Sequence, residues 1–265
     1  MTAKQFVDLL NEWGIPHREN RDGWQNHNRN SKGPWGPNVF GIGNHHTGGA
    51  DNKAGRDILW EGYAALPGPL CHAGIQQDGY VLLNGWGRVN HFGLGDSKVL
   101  GHVIKEDYGN HVLVPHQADV DGNSRFYGFE WMYDGLSEPS EHYPKLYHTA
   151  VRLNAAICTH HDWTELSAIG HGEWQPGKWD PGHSKGHMFD TVKFRGHVAQ
   201  AIAEGPKGSP KPQPSNSIVF NKGDSLHSLA KKFLGDEKRW LEFVDVNRQL
   251  LNHPEPGDVL KLPKK

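Results

Sequence analysis

The stretch Gly170–Gly182, GHGEWQPGKWDPG, holds an imidazole, an ammonium group and a carboxylate within one short segment. Its glycines and prolines disfavour a regular helix or a central strand, so we predict a shaped loop. Loops of this kind often carry function when a rigid scaffold holds them. His171 and Asp180 lie nine positions apart with Lys178 between them. Because imidazole and carboxylate groups are ordinary zinc ligands, the loop offers two candidate ligands for one metal ion.

A third candidate ligand lies far upstream, in the segment Gly41–Gly49, GIGNHHTGG. His45 follows a short apolar stretch and precedes a Thr-Gly-Gly turn, which predicts a strand end that faces a cleft. Three protein ligands leave the fourth position of a tetrahedral zinc site open for water, the catalytic arrangement. Chance proximity is the competing explanation, because the chain has 19 histidines. His183 or His187 could also replace Asp180 as third ligand.

A candidate general base lies in the segment Phe126–Met132, FYGFEWM. Its apolar residues predict a buried strand. Burying the carboxylate of Glu130 without a purpose is costly. Apolar neighbours raise the pKa of a carboxyl group toward neutrality, which suits a general base. The alternative is a glutamate at a strand end that faces solvent.

Together these segments resemble the zinc-dependent N-acetylmuramoyl-L-alanine amidases, the group that shares its fold with peptidoglycan recognition proteins. The resemblance extends in particular to the amidase endolysins of phages that infect actinobacteria, and it covers roughly residues 1–205. The motifs that carry it are His45-His46-Thr47, Gly128-Phe129-Glu130, and Gly170-His171 followed by Lys178 and Asp180-Pro181. The combination is specific, although each motif alone is weak.

The resemblance implies a role for each matched residue. It makes His45, His171 and Asp180 the zinc ligands. It makes Glu130 the catalytic carboxylate and places Lys178 beside the reacting carbonyl group.

Two further residues match positions on the substrate side of the family's site. They are Trp174, within GHGEW, and His91, which follows the predicted hairpin and resembles a histidine next to the substrate cleft. For His91, a histidine that caps its own loop is the alternative. One departure concerns the pair before the final aspartate. Many relatives carry Arg-Lys, whereas this chain has Gly177-Lys178, so an arginine that could grip substrate is missing.

Composition narrows the function classes. The formal net charge is −2, and no basic stripe with interleaved aromatic residues occurs, so we expect no nucleic-acid partner. No apolar run approaches the ~20 residues that cross a membrane, so we expect no membrane insertion. Met1–Gln5 lack the apolar core of a signal peptide, which predicts synthesis in the host cytoplasm and action on the cell wall after release. Cys71 and Cys158 are expected to be reduced thiols. We also expect a monomer.

Regular elements are expected around these motifs. Thr2 and Gln5 form a capping box for an N-terminal helix that Gly14 ends. Apolar periodicity predicts further helices at Arg56–Leu66, Glu141–Trp163 and Phe189–Glu204. The sequence Asp78-Gly79 predicts the turn of a hairpin over Leu70–Val89. We interpret residues 97–120 as a lobe over the cleft.

The C-terminal part differs in composition. Gly205–Ser215 is a proline-rich linker, extended and semi-stiff. Beyond it, Ile218–Ala230, IVFNKGDSLHSLA, together with Trp240 and the PGDVLKLP sequence, resembles one LysM repeat. That module has a strand, two helices and a strand, and it binds glycans that contain N-acetylglucosamine. We expect Asp224 to cap its first helix. A small generic βααβ domain is the alternative.

The predicted fold class is therefore α/β, a mixed β-sheet flanked by helices as in the amidase and peptidoglycan recognition fold, plus a small βααβ domain. The predicted domains are a zinc amidase at 1–205, a linker at 206–217 and a LysM-like wall-binding domain at 218–265. The predicted function is a peptidoglycan hydrolase that uses Zn²⁺-activated water to cleave the amide between N-acetylmuramic acid and L-alanine. The alternative is a non-catalytic peptidoglycan-binding receptor, although receptors of this fold lack one or more of the ligands.

Overall fold

The structure is a computed structural model, and it describes residues 1–36, 38–182, 189–206, 217–220, 223–247, 254 and 259–263. The chain divides into two compact units, Met1–Ile202 and Ala203–Lys265. The predicted domain limits of 1–205, 206–217 and 218–265 stay a prediction, since most of the predicted linker lies outside the described residues.

A six-stranded mixed sheet forms the centre of the first unit. Its strands are β1 (His17–Glu19), β2 (Gly41–His46), β5 (Ala73–Ile75), β6 (Val81–Leu83), β9 (Phe126–Trp131) and β10 (Ala168–Gly170). They lie in the order β1-β6-β5-β9-β2-β10. Only β5 and β6 pair antiparallel within this sheet, as the predicted hairpin requires, and the other neighbours are parallel. Two short ribbons accompany it, β3 (Gly62–Tyr63) with β4 (Leu66–Pro67) and β7 (Leu94–Gly95) with β8 (Val120–Asp121).

Helices flank the sheet, which confirms the predicted α/β class. They are α1 (Ala3–Glu12), α2 (Lys53–Glu61), α3 (Ser97–Lys105), α4 (Pro139–His142), α5 (Pro144–His160), α6 (His171–Trp174) and α7 (Thr191–Glu204). The predicted capping box begins α1. The backbone N–H of Gln5 donates to the Thr2 hydroxyl at 3.2 Å, and the backbone N–H of Thr2 donates to the Gln5 side chain at 2.7 Å. These bonds satisfy two N–H groups that the first helical turn leaves unpaired.

The main hydrophobic core lies where α1, α5 and α7 meet the sheet. Phe6 and Leu10 of α1, Leu153 of α5 and Phe194 of α7 belong to one buried cluster with strand residues such as Phe129. A second buried cluster joins α3 to α6, and its members are Phe92, Val99, Val103, Tyr108, Leu113, Phe126, Ile169 and Trp174. We therefore correct the interpretation of residues 97–120 as a lobe over the cleft, because this segment packs against α6 through residues of the second cluster and none of its residues lines the cleft.

Three predicted helices have different limits in the structure. The helix expected over Arg56–Leu66 ends earlier, because Gly62 adopts a φ of 69° and the chain turns into the β3–β4 ribbon. The helix expected over Glu141–Trp163 is divided into α4 and α5, with Pro144 at the start of α5. A proline at this position is tolerated because it lacks only an N–H that the first turn would not use. The third, α7, begins at Thr191. The loop Gly170–Gly182 also contains α6, one turn long.

The second unit contains β11 (Ser217–Val219), α8 (Leu226–Leu234), α9 (Trp240–Val246) and β12 (Val259–Lys261). β11 and β12 pair antiparallel, and Phe220, Leu229, Ala230, Phe243 and Leu260 form its buried cluster. The order strand, helix, helix, strand agrees with the prediction. The predicted cap is wrong by one residue, since the Ser225 side chain, not that of Asp224, accepts from Ser228 N at 3.0 Å.

The structure also bears on the expectations about membrane-spanning helices and about the two cysteines. In the part of the chain that the structure describes, no helix combines the length and apolar character needed to cross a bilayer. Cys71 and Cys158 are buried and free, as expected.

Candidate metal centre and active site

Three strand ends bring the predicted site residues together. His45 lies near the carboxyl end of β2, and its register partner on the parallel strand β9 is Glu130. His171 follows directly after β10, whose last residue pairs with Asn44 of β2. The carboxyl ends of parallel strands share one edge of a sheet, where α/β proteins commonly bind ligands. Residues 45, 130 and 171 are therefore close in space although they are distant in sequence.

The side chains of His45, His171 and Asp180 converge on one point. Nδ1 of His45 lies 3.0 Å from Nδ1 of His171 and 3.2 Å from Oδ2 of Asp180. Nδ1 of His171 lies 3.0 Å from the same carboxylate oxygen. A tetrahedral zinc ion with ligands at about 2.0–2.2 Å places its ligand atoms roughly 3.3 Å apart. Two imidazole nitrogens and a carboxylate oxygen at these separations could hold a zinc ion.

Among the described residues, the same three form the group of His, Cys, Asp or Glu side chains whose ligand atoms all lie within 4.8 Å of one another. His183 and His187, the predicted rivals of Asp180, lie outside the described residues.

The protonation states of His45 and Asp180 suit a metal centre. Burial lowers the pKa of His45 to about 4, so its ring is neutral near pH 7. Burial opposes ionisation of Asp180, but its close contacts with the imidazole rings of His171 and His45 hold the pKa of its carboxyl group well below the ordinary value. Metal binding requires neutral imidazole and ionised carboxylate ligands. His45 and Asp180 can therefore supply electron pairs to a metal without first losing protons to solvent at neutral pH.

Neighbouring groups hold the ligands in place. The Asp180 carbonyl oxygen accepts from Gly172 N at 3.0 Å, which ties the two ends of the loop together. The Tyr133 hydroxyl donates to the carbonyl oxygen of Pro181. Nε2 of His171 lies 3.1 Å from Oε1 of Gln175, one helical turn later.

The helix that carries His171 is anchored from behind by a buried ion pair. The carboxylate of Glu173 accepts from Gly170 N and Leu113 N at 3.0 and 3.1 Å. Nη1 of Arg195, on α7, contacts both oxygens of this carboxylate at 3.0 Å. Neither side chain is exposed to solvent. Glu173 therefore links the strand end before His171 to α7 and to the segment around Leu113.

Glu130 has the environment of an acid–base group. Burial, together with the smaller effect of the Asp180 charge, raises the pKa of its carboxyl group to about 8, although Lys178 acts in the opposite direction. Its Oε2 is buried without a hydrogen-bond partner among the described residues. A carboxylate that takes up and releases a proton near neutrality is what general acid–base catalysis needs. The expectation that Glu130 only faces solvent at a strand end does not fit this burial.

A cleft of about 430 Å³ joins these groups. Its floor is formed by the three candidate ligands together with Glu130 and the exposed Lys178. Its wall contains large apolar side chains that are partly exposed, namely Ile58 (50%), Tyr63 (58%) and Leu66 (37%). A polar floor and an apolar wall fit a ligand that has both polar and aliphatic groups.

A larger hollow of about 540 Å³ lies elsewhere and is lined by Asn20, Arg21, Lys53, Arg56 and Asp57. Asp57 already pairs with Arg21 at 2.7 Å and with Lys53 at 2.6 Å. The hollow is therefore a surface groove with paired charges, and the 430 Å³ cleft is the candidate active site.

Trp174 does not have the role expected for it. Its side chain is fully buried and stacks on Phe92, with ring centroids 5.2 Å apart and planes 14° apart. The indole N–H donates to the Phe92 carbonyl oxygen at 3.1 Å. Trp174 also fills the space that side chains at Gly95 and Gly122 would need. We therefore correct the predicted substrate contact to a packing role behind His171.

His91 lines the cleft as predicted, but both of its ring nitrogens are engaged. Nδ1 lies 3.0 Å from Nε2 of His45, and Nε2 lies 3.1 Å from the carbonyl oxygen of Phe126. Neither nitrogen is free for a substrate. His91 is also more than a histidine that caps its own loop, because its Nδ1 contacts the candidate metal ligand His45.

Several residues of the site were not identified from the sequence. Gln175 had a usable signal, since it follows His171 by one helical turn. Tyr133, which contacts Pro181, and the apolar wall of Ile58, Tyr63 and Leu66 had none, because their positions depend on strand order and on where α2 ends.

The fold and the site define a class, an α/β protein with a candidate three-ligand metal centre beside a buried carboxylate. A profile of the Amidase_2 family, described as N-acetylmuramoyl-L-alanine amidase, matches residues 35–183. This match spans more than half of the chain and includes every predicted ligand and Glu130. The chain belongs to this family, whose substrate is peptidoglycan and whose general activity is that of a peptidoglycan amidase. No curated protein matches the chain.

Proposed function

We propose that the protein is a zinc-dependent N-acetylmuramoyl-L-alanine amidase that acts as an endolysin. The bond it cleaves is the amide between the lactyl group of N-acetylmuramic acid and L-alanine. The convergence of His45, His171 and Asp180 within 3.0–3.2 Å of one another is the observation that carries this proposal. The triad lies in a cleft beside Glu130 and Lys178.

Zinc held by these three residues would polarise the scissile carbonyl group and lower the pKa of a water molecule. Glu130 accepts the proton of the attacking water and later delivers a proton to the leaving amine. Its raised pKa suits both directions of transfer. The ammonium group of Lys178 stabilises the negative charge that develops on the carbonyl oxygen. The products are a lactyl carboxylic acid on the glycan and a stem peptide with a free amino terminus.

The apolar wall supports a substrate of this kind. Tyr63 and Ile58 line the cleft and present exposed apolar surface there. The lactyl methyl group, the alanine methyl group and the faces of the sugar ring are apolar surfaces next to the scissile bond. We propose that the apolar wall of the cleft contacts these groups of the substrate.

The second unit is proposed to hold the enzyme on the bacterial cell wall as a LysM-like module. Its support is the order of its elements and an aromatic pair on its surface. The exposed His227 stacks on the half-buried Trp240 with ring centroids 5.0 Å apart. Such a module would raise the local concentration of the catalytic unit. The linker, host synthesis in the cytoplasm and a monomeric state complete the proposal.

The bond that is cleaved tests the proposal. Purified cell walls digested by the protein are expected to yield intact glycan strands and free stem peptides whose new N-terminus is alanine. N-terminal labelling of the released peptides, with a parallel assay for reducing sugar ends, gives the measurement. New reducing ends in proportion to lysis would identify a muramidase, and other new N-termini a peptidase. A receptor would release nothing.

The metal is tested on the same preparation. Metal analysis is expected to find about one zinc per chain. Chelation should stop hydrolysis, and added zinc should restore it. Asp180→Ala should lose zinc and activity together, whereas an unchanged zinc content in this variant would move the third ligand to another residue.

A further inference from the structure

A second histidine lies directly behind a candidate zinc ligand. Nδ1 of His91 lies 3.0 Å from Nε2 of His45. The other nitrogen of the His45 ring, Nδ1, is the one that contacts Asp180. We propose that His91 is a positioning residue that keeps the ring proton of His45 on Nε2 and thereby leaves the Nδ1 electron pair free for the metal. This inference rests on the proposed metal centre.

A backbone carbonyl group determines which nitrogen of His91 carries the proton. Nε2 of His91 lies 3.1 Å from the oxygen of Phe126, and a carbonyl oxygen only accepts hydrogen bonds. Nε2 of His91 therefore carries a proton. In a neutral ring the other nitrogen then has no proton and accepts. The partner of that nitrogen is Nε2 of His45, which must be the donor.

One alternative proton arrangement exists, and it conflicts with metal binding. If His91 carried protons on both nitrogens, Nε2 of His45 would have to accept, and the His45 proton would move to Nδ1. A protonated Nδ1 cannot bind a metal, because ligation needs the nitrogen electron pair. The arrangement with neutral His91 is therefore the one compatible with a metal held by His45, His171 and Asp180.

The packing around His91 keeps its ring in this orientation. Gly128 lies against the ring, and a Cβ atom at this position would overlap Nδ1. On the other side the ring stacks on Phe92, with planes 12° apart. The Asn123 side-chain oxygen accepts from the backbone N–H groups of residues 91, 92 and 93 at 2.9, 2.8 and 3.1 Å. The turn and the ring are thus both fixed before any metal binds.

His171 has a similar outer contact, but that contact decides less. Its Nε2 lies 3.1 Å from the side-chain amide of Gln175. An amide offers a donor and an acceptor, so rotation of the group could serve either form of the imidazole. The hydrogen bonds from His45 through His91 end on the carbonyl oxygen of Phe126, which can only accept. Their donors and acceptors can therefore be arranged in one direction only.

The kind of acceptor also matters for the charge of the site. Outer partners of ligating histidines are often carboxylates. A neutral imidazole orients His45 without adding a second negative charge to the one on Asp180.

The test uses variants of the full-length protein that differ in one acceptor. Leucine and asparagine have similar size and shape, so His91→Leu and His91→Asn leave a similar space, but only asparagine offers an oxygen near the position of Nδ1. His72→Leu is the matched control for burial. His72 is fully buried and its ring lies 5.9 Å from that of His91, but its hydrogen bonds go to Gly87 and Gly128 and not to a ligand.

Zinc affinity, measured by competition with a chelator, is the readout. His91→Leu is expected to bind zinc about 10–100-fold more weakly than the wild type. His91→Asn should retain most of the affinity, and His72→Leu should bind as the wild type does. Equal affinity in His91→Leu and the wild type would overturn the inference. Equal losses in His91→Leu and His91→Asn would also overturn it, because packing would then explain both.

If the variants fail to fold, a measurement on the wild-type protein still tests the inference. Long-range nitrogen–proton NMR of the zinc-loaded wild type reports which ring nitrogens carry protons. The expected result is a proton on Nε2 of both His45 and His91. A proton on Nδ1 of His91 would overturn the inference while leaving the zinc centre intact. If the wild type binds no zinc, the proposed metal centre fails, and the inference fails with it.

Discussion

His45 and Glu130 are register partners on the adjacent parallel strands β2 and β9. Side chains at partnered positions of neighbouring strands lie on the same face of the sheet. The strand pairing alone therefore places a candidate metal ligand beside the candidate general base. A slip of one residue would turn one of them to the opposite face, so the register of these two strands is part of the active site.

Glu130→Gln is expected to separate chemistry from binding. The amide keeps the shape of the side chain but cannot take up the proton of water, so turnover of soluble muropeptide should fall by roughly 10²-fold or more. Zinc content and sedimentation with cell walls should not change. Initial-rate kinetics with parallel metal analysis give the measurement, and near-normal turnover would reduce Glu130 to a structural residue.

The same variant predicts a pH effect on the stability of the metal-free protein. The Glu130 carboxyl group titrates near 4.5 in an unfolded chain and at about 8 in the folded one. Between these values the folded state holds a proton that the unfolded state has released, so rising pH favours unfolding. The contribution of Glu130 to the free energy of unfolding is fully present at a pH below its pKa in the unfolded chain. It is lost as the pH rises through its pKa in the folded protein.

Thermal unfolding of metal-free wild type and Glu130→Gln, near pH 5 and near pH 9, measures this effect. Gln has no proton to lose, so the difference in Tm should move in favour of the variant as the pH rises. A constant difference between the two proteins would show that the carboxyl group ionises in the fold as it does in water.

Arg195→Leu is expected to destabilise the first unit by about 3–5 kcal/mol, because it leaves the fully buried Glu173 carboxylate without its counter-ion. Adding Glu173→Gln should recover part of the loss, since the amide oxygen can still accept from a backbone N–H. Denaturant unfolding of the single and double variants gives the free energies. Arg21→Leu, which removes exposed salt bridges to Asp57 and Glu61, is the control and should cost far less. Equal losses at residues 195 and 21 would contradict the prediction.

Removal of the second unit is expected to affect wall binding and leave the chemistry unchanged. A chain that ends at Gly208 should hydrolyse soluble muropeptide at the wild-type rate. Its binding to intact cell walls should weaken on the order of 10²-fold, because one attachment point is lost. Residues 216–265 alone should sediment with peptidoglycan. A tail that stays in solution would remove the LysM interpretation.

The sequence predicted the parts of this fold that depend on local chemistry. The capping box of Thr2 and Gln5 and the turn at Asp78-Gly79 are set by a few neighbouring residues, and both are present. The candidate ligands were named from the combination of motifs that resembles the family, since each motif alone is weak. Their assembly into one site then follows from the strand order β9-β2-β10.

Features that depend on long-range packing could not be predicted in the same way. A tryptophan beside a ligand histidine has the same sequence signature whether it faces a sugar or the core, and Trp174 faces the core. The contact of His91 with His45 joins residues 46 positions apart. No periodicity or composition relates such a pair, so only the tertiary structure shows it.

The buried pair of Glu173 and Arg195 has a consequence for protein engineering. The segment shared with the family ends at residue 183, but the guanidinium group that neutralises Glu173 comes from α7, and α1 supplies Phe6 and Leu10 to the core. A chimeric protein assembled from the shared segment alone would lack both supports. A portable catalytic module must therefore begin at the first helix and extend through Glu204, the last residue of α7.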